Sequence, residues 1–111
     1  MTLQNKLRKL YEPFLALQCP VSHYSRMTTF PYVVWAESGE DTSFHSNNRK
    51  SEQTITGTVD LYTQTEFDPL ADAVQEILDA EGVAWLLESV QYESETNLIH
   101  YEWRWSVAWQ S

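Results

Sequence analysis

The segment from residue 98 to 109 constrains the fold more than any other part of the chain. Apolar and polar side chains alternate along it from residue 99 to 107. Because successive residues of a β-strand point to opposite faces of a sheet, this alternation predicts a strand with one apolar face. That face consists of Ile99, Tyr101, Trp103, Trp105, Val107 and Trp109. A face with three indole rings must either pack on other elements or form an interface, so Trp103, Arg104 and Trp105 are candidate interface residues.

Four other segments have the pattern of strands. Residues 83 to 93 lie just before the polar turn 94–97, so they and the C-terminal strand are expected to form a hairpin. Residues 53 to 63 alternate clearly, with Ile55, Gly57, Val59 and Leu61 on one face. β-Branched and aromatic residues predict a strand at 32–36, and a shorter stretch within 21–27 has a weaker pattern of the same kind.

Two segments have the periodicity of amphipathic helices. Apolar residues recur at spacings of three and four between residues 3 and 17, and Thr2 is positioned as the N-cap. Pro13 is expected to end or kink this helix, since proline inside a helix costs about 3 kcal/mol. A second helix is expected to begin with Asp68 as N-cap and Pro69 at its first position, and to stop at Gly82.

This order of elements predicts an α+β fold in which one mostly antiparallel sheet of four to five strands packs against two helices. A chain of 111 residues has room for a single domain, 1–111. Residues 38 to 52 are polar and follow neither periodicity, so we expect a long, exposed and flexible loop there. Within it, Phe44 is a candidate anchor for a partner, and Arg49 and Lys50 form a candidate basic contact.

Acidic residues are concentrated in the second half of the chain. Residues 1–50 carry six Lys or Arg against four acidic residues (+2), whereas residues 51–111 carry twelve acidic residues against Arg104 alone (−11). The net charge of −9 opposes binding to nucleic acid and to anionic lipid. We therefore expect neither partner, while unlike ends of the molecule favour head-to-tail association. Arg104 is expected to pair with a carboxylate in its own sheet or across an interface, and an internal pair is the more common case.

No arrangement of residues predicts catalysis, a cofactor or a metal site. His23, His45 and His100 lie far apart and match no metal-binding spacing. An enzyme would need these histidines and Cys19 to converge in a pocket, but a lone cysteine after an apolar helix is typical of a small buried residue. The absence of a signal-peptide pattern, of a possible internal disulfide and of an apolar run near 20 residues predicts a cytoplasmic protein outside the membrane.

Two short segments carry a resemblance to a known family. Residues 56–63 read TGTVDLYT before the second helix, and residues 92–100 read YESETNLIH in the last hairpin. Together with the N-terminal helix and the aromatic strand at 32–35, they resemble the tail-completion, or tail-terminator, proteins of long-tailed phages and prophages. The resemblance covers approximately residues 3 to 107.

The resemblance implies a structural subunit that forms a ring, usually a hexamer, at the head-proximal end of the tail tube. Such a ring terminates the tube and joins the tail to the head. Its partners would be copies of itself, the tail-tube protein and the head-completion or connector protein, with DNA passing through unbound. It would occur in the host cytoplasm during assembly and then in the virion at the head–tail interface.

A second hypothesis follows from the charge alone. A small acidic binding or inhibitory module, such as an immunity protein or a DNA mimic, would also carry many carboxylates. Such a module would be a monomer or a dimer with a basic partner, whereas a ring subunit would form higher assemblies or bind tail-tube subunits.

Overall fold

Five strands form one sheet, and two helices pack on one of its faces. The computed structural model describes residues 1–40 and 53–109. In chain order the elements are α1 (Leu3–Tyr11), a 3-10 helix (Glu12–Ala16), β1 (Val21–His23), β2 (Tyr32–Glu40), β3 (Ile55–Thr63), α2 (Pro69–Leu78), β4 (Val83–Glu93) and β5 (Leu98–Val107). Within these ranges, neither helix has the length and apolar character that crossing a bilayer requires.

The strands lie in the order β1-β2-β3-β5-β4. All neighbouring pairs are antiparallel except β1 and β2, which are parallel. The predicted α+β class, with a mostly antiparallel sheet and two helices, is therefore confirmed. This order also separates the two halves of the chain, because β1 and β2 lie at one side of the sheet and β5 and β4 at the other.

The N-terminal helix ends where its proline predicts. The Thr2 hydroxyl accepts a hydrogen bond from the Asn5 amide at 3.1 Å and caps α1. The α-helical geometry stops at Tyr11, and the chain continues as a 3-10 helix that contains Pro13. Because the fixed φ of proline is compatible with this tighter turn, Phe14 still reaches the core and is fully buried.

The second strand extends further than the sequence indicated. β2 continues through Glu40, so the beginning of the loop predicted at 38–52 is corrected to strand. A β-bulge between Glu37 and Gly39 shifts its register on β3, and the Ser38 hydroxyl donates a hydrogen bond to the Thr56 carbonyl oxygen at 3.2 Å. The bulge accommodates polar residues that interrupt the strand pattern. The remainder of the predicted loop, 41–52, lies outside the described residues.

The core forms between the two helices and the apolar face of the sheet. We call this side of the sheet the helix face. Its fully buried side chains come from every layer of this arrangement, namely Phe14, Val33, Val59, Leu61, Val74, Leu78, Trp103, Trp105 and Val107. Burial of an aliphatic or aromatic side chain of this size contributes about 1.5–3 kcal/mol. The alternation predicted for residues 53–63 is confirmed, since every second residue of β3 is buried.

A glycine of β3 makes room for one of the two buried tryptophan rings. Gly57 lies opposite Trp105 on β5, and a methyl group on its Cα would overlap both the indole ring and the carbonyl oxygen of Ala36 on β2. Glycine is used here because the aromatic ring approaches the backbone closely.

The start of α2 depends on a buried carboxylate. Asp68 is the N-cap, as predicted, and its Oδ1 accepts a hydrogen bond from the Leu70 amide at 2.9 Å. Its Oδ2 accepts a second hydrogen bond from the buried Thr63 hydroxyl at 2.6 Å. The helix ends at Leu78, and Gly82, which was predicted to stop it, lies just before β4 with a φ of 85°.

Substitution of Gly57 by alanine is expected to lower the free energy of unfolding by about 1–3 kcal/mol, because the added methyl group overpacks the core. Urea denaturation of the wild type and of Gly57→Ala measures this difference. Thr58→Ala on the opposite face of β3 is the matched control and should change stability less. Equal stability of Gly57→Ala and the wild type would contradict the packing described here.

Substitution of Asp68 by alanine is expected to cost about 2–4 kcal/mol, because it removes the helix cap and leaves the Thr63 hydroxyl buried without an acceptor. Asp72 lies in the first turn of α2 and is exposed, so Asp72→Ala should cost less than about 1 kcal/mol. Thermal and urea unfolding of both variants provide the comparison. Similar losses in the two variants would show that the buried hydrogen bonds contribute little.

Candidate assembly surface

The outer strand β4 presents an open edge. β4 pairs with β5 on one side, and its other side meets no strand in the ranges 1–40 and 53–109. The strand has eleven residues, whereas strands of globular proteins have about 5–6 on average. We call this strand and its outer side the β4 edge. Its unpaired amide and carbonyl groups form a template on which another strand can pair.

Large apolar side chains project from the β4 edge into solvent. The exposed fractions are 50% for Leu86, 43% for Leu87, 51% for Val90 and 62% for Tyr92. All four lie within seven consecutive residues of one strand. Scattered exposed apolar residues are normal, but such a continuous row is typical of a protein–protein contact.

A β-bulge at Glu88 places most of this row on one face. The register on β5 shifts between Leu87, which lies opposite Trp103, and Ser89, which lies opposite Glu102. Val90 then lies opposite Tyr101. Directly opposed residues of an antiparallel pair share a face. Leu87 and Val90 therefore both lie on the helix face, although they are three positions apart.

The exposed apolar row could have been recognised from the sequence. Residues 83 to 87 are all apolar and include Trp85 and Leu87 at odd positions, whereas after Glu88 the large apolar residues Val90 and Tyr92 fall at even positions. Such a change within one strand indicates a bulge that keeps one face apolar. The sequence interpretation treated residues 83–93 only as a hairpin arm and did not use this signal.

Of the three interface residues predicted on β5, two are buried and one is exposed. Trp103 and Trp105 are fully buried, so the Trp-rich face packs on the helices and these two side chains do not form an exposed interface. The Trp103 Nε1 donates a hydrogen bond to Gln75 on α2 at 3.0 Å, whereas the Trp105 Nε1 has no partner among the described residues. Arg104 lies on the opposite face, is exposed, and has its Nε 3.7 Å from Glu88 Oε2. The expected pairing of Arg104 within its own sheet is confirmed.

The other predicted contact residues are not placed. Phe44, Arg49 and Lys50 lie in 41–52, outside the described residues, and their role as a partner-binding loop stays a prediction. His45 belongs to the same segment.

The described histidines pair with carboxylates rather than with Cys19. His23 Nε2 lies 2.6 Å from Glu37 Oε1, and His100 Nε2 lies 2.6 Å from Asp60 Oδ1. Burial, together with the charge of nearby Asp68, raises the pKa of the Cys19 thiol. Because the thiolate is the reactive form, this environment does not activate Cys19 as a nucleophile.

The Glu37 carboxylate is tied into the β1 end of the sheet. Burial acts to raise its pKa, but hydrogen bonds from Tyr24 and His23 outweigh burial and lower it. The His23 ring also stacks on Trp35, with 3.8 Å between ring centroids. Trp35 in turn stacks on Tyr11 of α1 at 5.2 Å. The His23–Glu37 pair and these stacked rings therefore hold β1, β2 and α1 together.

Two open clefts lie on the described surface. A groove of about 390 Å³ lies between α1 and the β1–β2 end of the sheet, and its wall includes Leu7, Arg8, Tyr11, Val21 and Trp35. A second cleft, of about 530 Å³, lies on the sheet face opposite the helices and is lined in part by Arg26, Tyr62, Gln91 and His100. Both are open to solvent, which is unlike the enclosed pockets that surround small ligands.

The Asp60–His100 pair has a third potential metal ligand beside it. Donor atoms of Asp60, His100 and Glu102 all lie within 4.8 Å of one another. Sequence spacing did not predict this group because its members are brought together by strand pairing.

The chain matches no protein-family model, and no curated protein gives a significant match to its sequence.

Proposed function

We propose that this chain is a non-enzymatic structural subunit that assembles through its β4 edge into the ring that closes the head-proximal end of a phage tail tube. The ring ends growth of the tube and joins the tail to the head. The phage role draws on the resemblance of residues 56–63 and 92–100 to tail-completion proteins. The assembly role draws on the β4 edge.

The β4 edge is the observation that carries the assembly part of the proposal. Soluble proteins protect long edge strands with lysine, proline, bulges or covering elements. β4 has a bulge, but it contains neither lysine nor proline and exposes Leu86, Leu87, Val90 and Tyr92. An uncovered row of this kind promotes aggregation unless a specific partner covers it, so a neighbouring subunit is its natural occupant.

The sheet order supports contact between unlike surfaces. A closed ring of more than two subunits requires that one surface of a subunit binds a different surface of the next. The acidic second half of the chain supplies β4 and β5 at one side of the sheet, and the first half supplies β1 and β2 at the other. The groove beside β1 is lined by Arg8 and Glu37 and by apolar side chains such as Trp35. The apolar side chains of the β4 edge of one subunit are therefore complementary to the apolar part of the groove of the next.

The segments that carry the phage resemblance occupy defined places in this arrangement. Residues 56–63 fall within the central strand β3, and residues 92–100 comprise the end of β4, the turn 94–97 and the start of β5. In this turn the Tyr92 hydroxyl donates a hydrogen bond to Asn97 Oδ1 at 3.0 Å, and the Thr96 hydroxyl donates one to Glu93 Oε1 at 3.1 Å. The second segment thus stabilises the end of the strand that we propose for assembly.

Placing a charge on the β4 edge is expected to prevent assembly. In Val90→Lys the ammonium group would have to be desolvated in the contact, so the assembled fraction should fall at least about tenfold. Native mass spectrometry and negative-stain microscopy, with and without tail-tube subunits, measure ring formation. Phe67→Lys is the matched control, because Phe67 is 88% exposed and lies outside β4, before α2.

The expected result is six-fold rings for the wild type and for Phe67→Lys but not for Val90→Lys. A wild type that stays monomeric or dimeric with tail-tube subunits present, yet binds a basic protein tightly, would favour the acidic inhibitor instead. Equal loss of rings in both variants would remove the β4 edge from the proposal.

The phage role has its own test. Electron micrographs of tails assembled with the protein should show tails of uniform length joined to heads. Without it, tails should have unregulated length or remain separate from heads. Normal virions formed in its absence would contradict this role, whatever the outcome for ring formation.

A further inference from the structure

We propose that Asp60, His100 and Glu102 form a binding site for a divalent transition metal of the zinc class. The three residues lie on the central strands β3 and β5, on the sheet face opposite the helices, which we call the open face. This inference does not depend on the proposed ring, because it concerns a different surface from the β4 edge.

Strand register brings the three ligands together. Asp60 on β3 lies directly opposite Glu102 on β5, and His100 lies two positions from Glu102 on the same face. Their donor atoms are all within 4.8 Å of one another. The side chains of His100 and Asp60 are 21% and 18% exposed, so the group is accessible to an ion but largely screened from bulk water.

The imidazole of His100 is held in place before any ion binds. Its ring stacks on Tyr62 with 4.2 Å between ring centroids, and Tyr62 stacks on Tyr32 at 4.8 Å. His100 and Tyr62 lie opposite each other on paired strands. A ligand fixed by stacking and by the backbone of a central strand loses little side-chain entropy on metal binding.

The charge distribution at this position favours a cation. Like charges directly opposite each other on paired strands are destabilising, and Asp60 and Glu102 form such a pair. Among the described residues, the Glu102 side chain makes no hydrogen bond or ion pair, and the Asp60 side chain pairs only with His100. Burial, followed by the charge of Asp60, raises the pKa of the neighbouring Tyr62, although Arg26 acts in the opposite direction. A divalent ion would neutralise both carboxylates.

The ligand set indicates the class of metal. One imidazole nitrogen and two carboxylate oxygens suit Zn²⁺ and related transition metals, whereas Mg²⁺ and Ca²⁺ prefer oxygen ligands alone. Ligand bonds near 2.0–2.1 Å in a tetrahedral site imply donor atoms roughly 3.3 Å apart. His100 Nε2 and Asp60 Oδ1 lie 2.6 Å apart, so a small side-chain rotation would open the space, with water as the fourth ligand.

The chain contains a natural control for this site. His23 and Glu37 form a pair with the same separation of 2.6 Å between Nε2 and a carboxylate oxygen. This pair is not part of any group of three close metal-ligating side chains within 1–40 and 53–109. If a histidine–carboxylate pair alone were sufficient, both positions would bind metal, whereas the proposal requires the third ligand.

Isothermal titration of the full chain, after dialysis against a chelator, tests the proposal with Zn²⁺ as the probe at neutral pH. One equivalent is expected to bind and to raise the melting temperature, because the ion binds only the folded state. His100→Gln and Glu102→Gln should each weaken binding at least about tenfold, whereas His23→Gln should leave it unchanged. Circular dichroism establishes that each variant is folded.

Three results would overturn the proposal. These are the absence of stoichiometric Zn²⁺ binding, equal weakening by His23→Gln and His100→Gln, and binding of Mg²⁺ as tight as that of Zn²⁺, which would indicate a diffuse acidic surface. The same titration on Val90→Lys separates this site from ring assembly. Zinc binding should persist in that variant even where no ring forms.

Discussion

The contact between the Trp105 ring and the backbone of Gly57 is the constraint on which the rest of the fold depends. It fixes the register of β5 on β3 at the centre of the sheet, because a side chain at position 57 would exclude the ring. With that register set, Trp103 reaches Gln75 on α2, and the Trp-rich face becomes the floor on which both helices pack. The alternation of β5 thus determines where the helices lie.

The helices do not cover the whole of this floor. They bury the indole rings of β5, but Leu87, Val90 and Tyr92 at the outer strand remain in solvent on the same side. The molecule therefore has one apolar surface divided into a part closed by its own helices and a part open to a neighbour. Burial of the first gives the subunit its stability, and burial of the second is available for association.

Local sequence patterns predicted the positions of the helices and strands well, but they predicted poorly which distant segments of the chain meet. Thr2, Pro13 and Asp68 act where their chemistry places them, because capping and proline effects involve neighbours within one turn. The parallel pairing of β1 with β2 had no local signal. The same holds for the cluster of Asp60, His100 and Glu102, which depends on the register between two strands far apart in sequence. The sequence did not determine whether Trp103 and Trp105 are buried or exposed, since an apolar strand face has the same residue pattern in a core and in an interface.

At the bulge, the number of residues in β4 matters more for the direction of its side chains than the identity of residue 88. The side chain at 88 is exposed, so many residues would be tolerated there, but the position itself acts as a spacer between two runs of alternating side chains. A chain one residue shorter would turn Val90 and Tyr92 towards the open face while leaving Trp85 and Leu87 where they are. Among related sequences, an insertion or deletion in this strand would therefore change the side of the sheet that meets a neighbour, whereas most single substitutions at 88 would not.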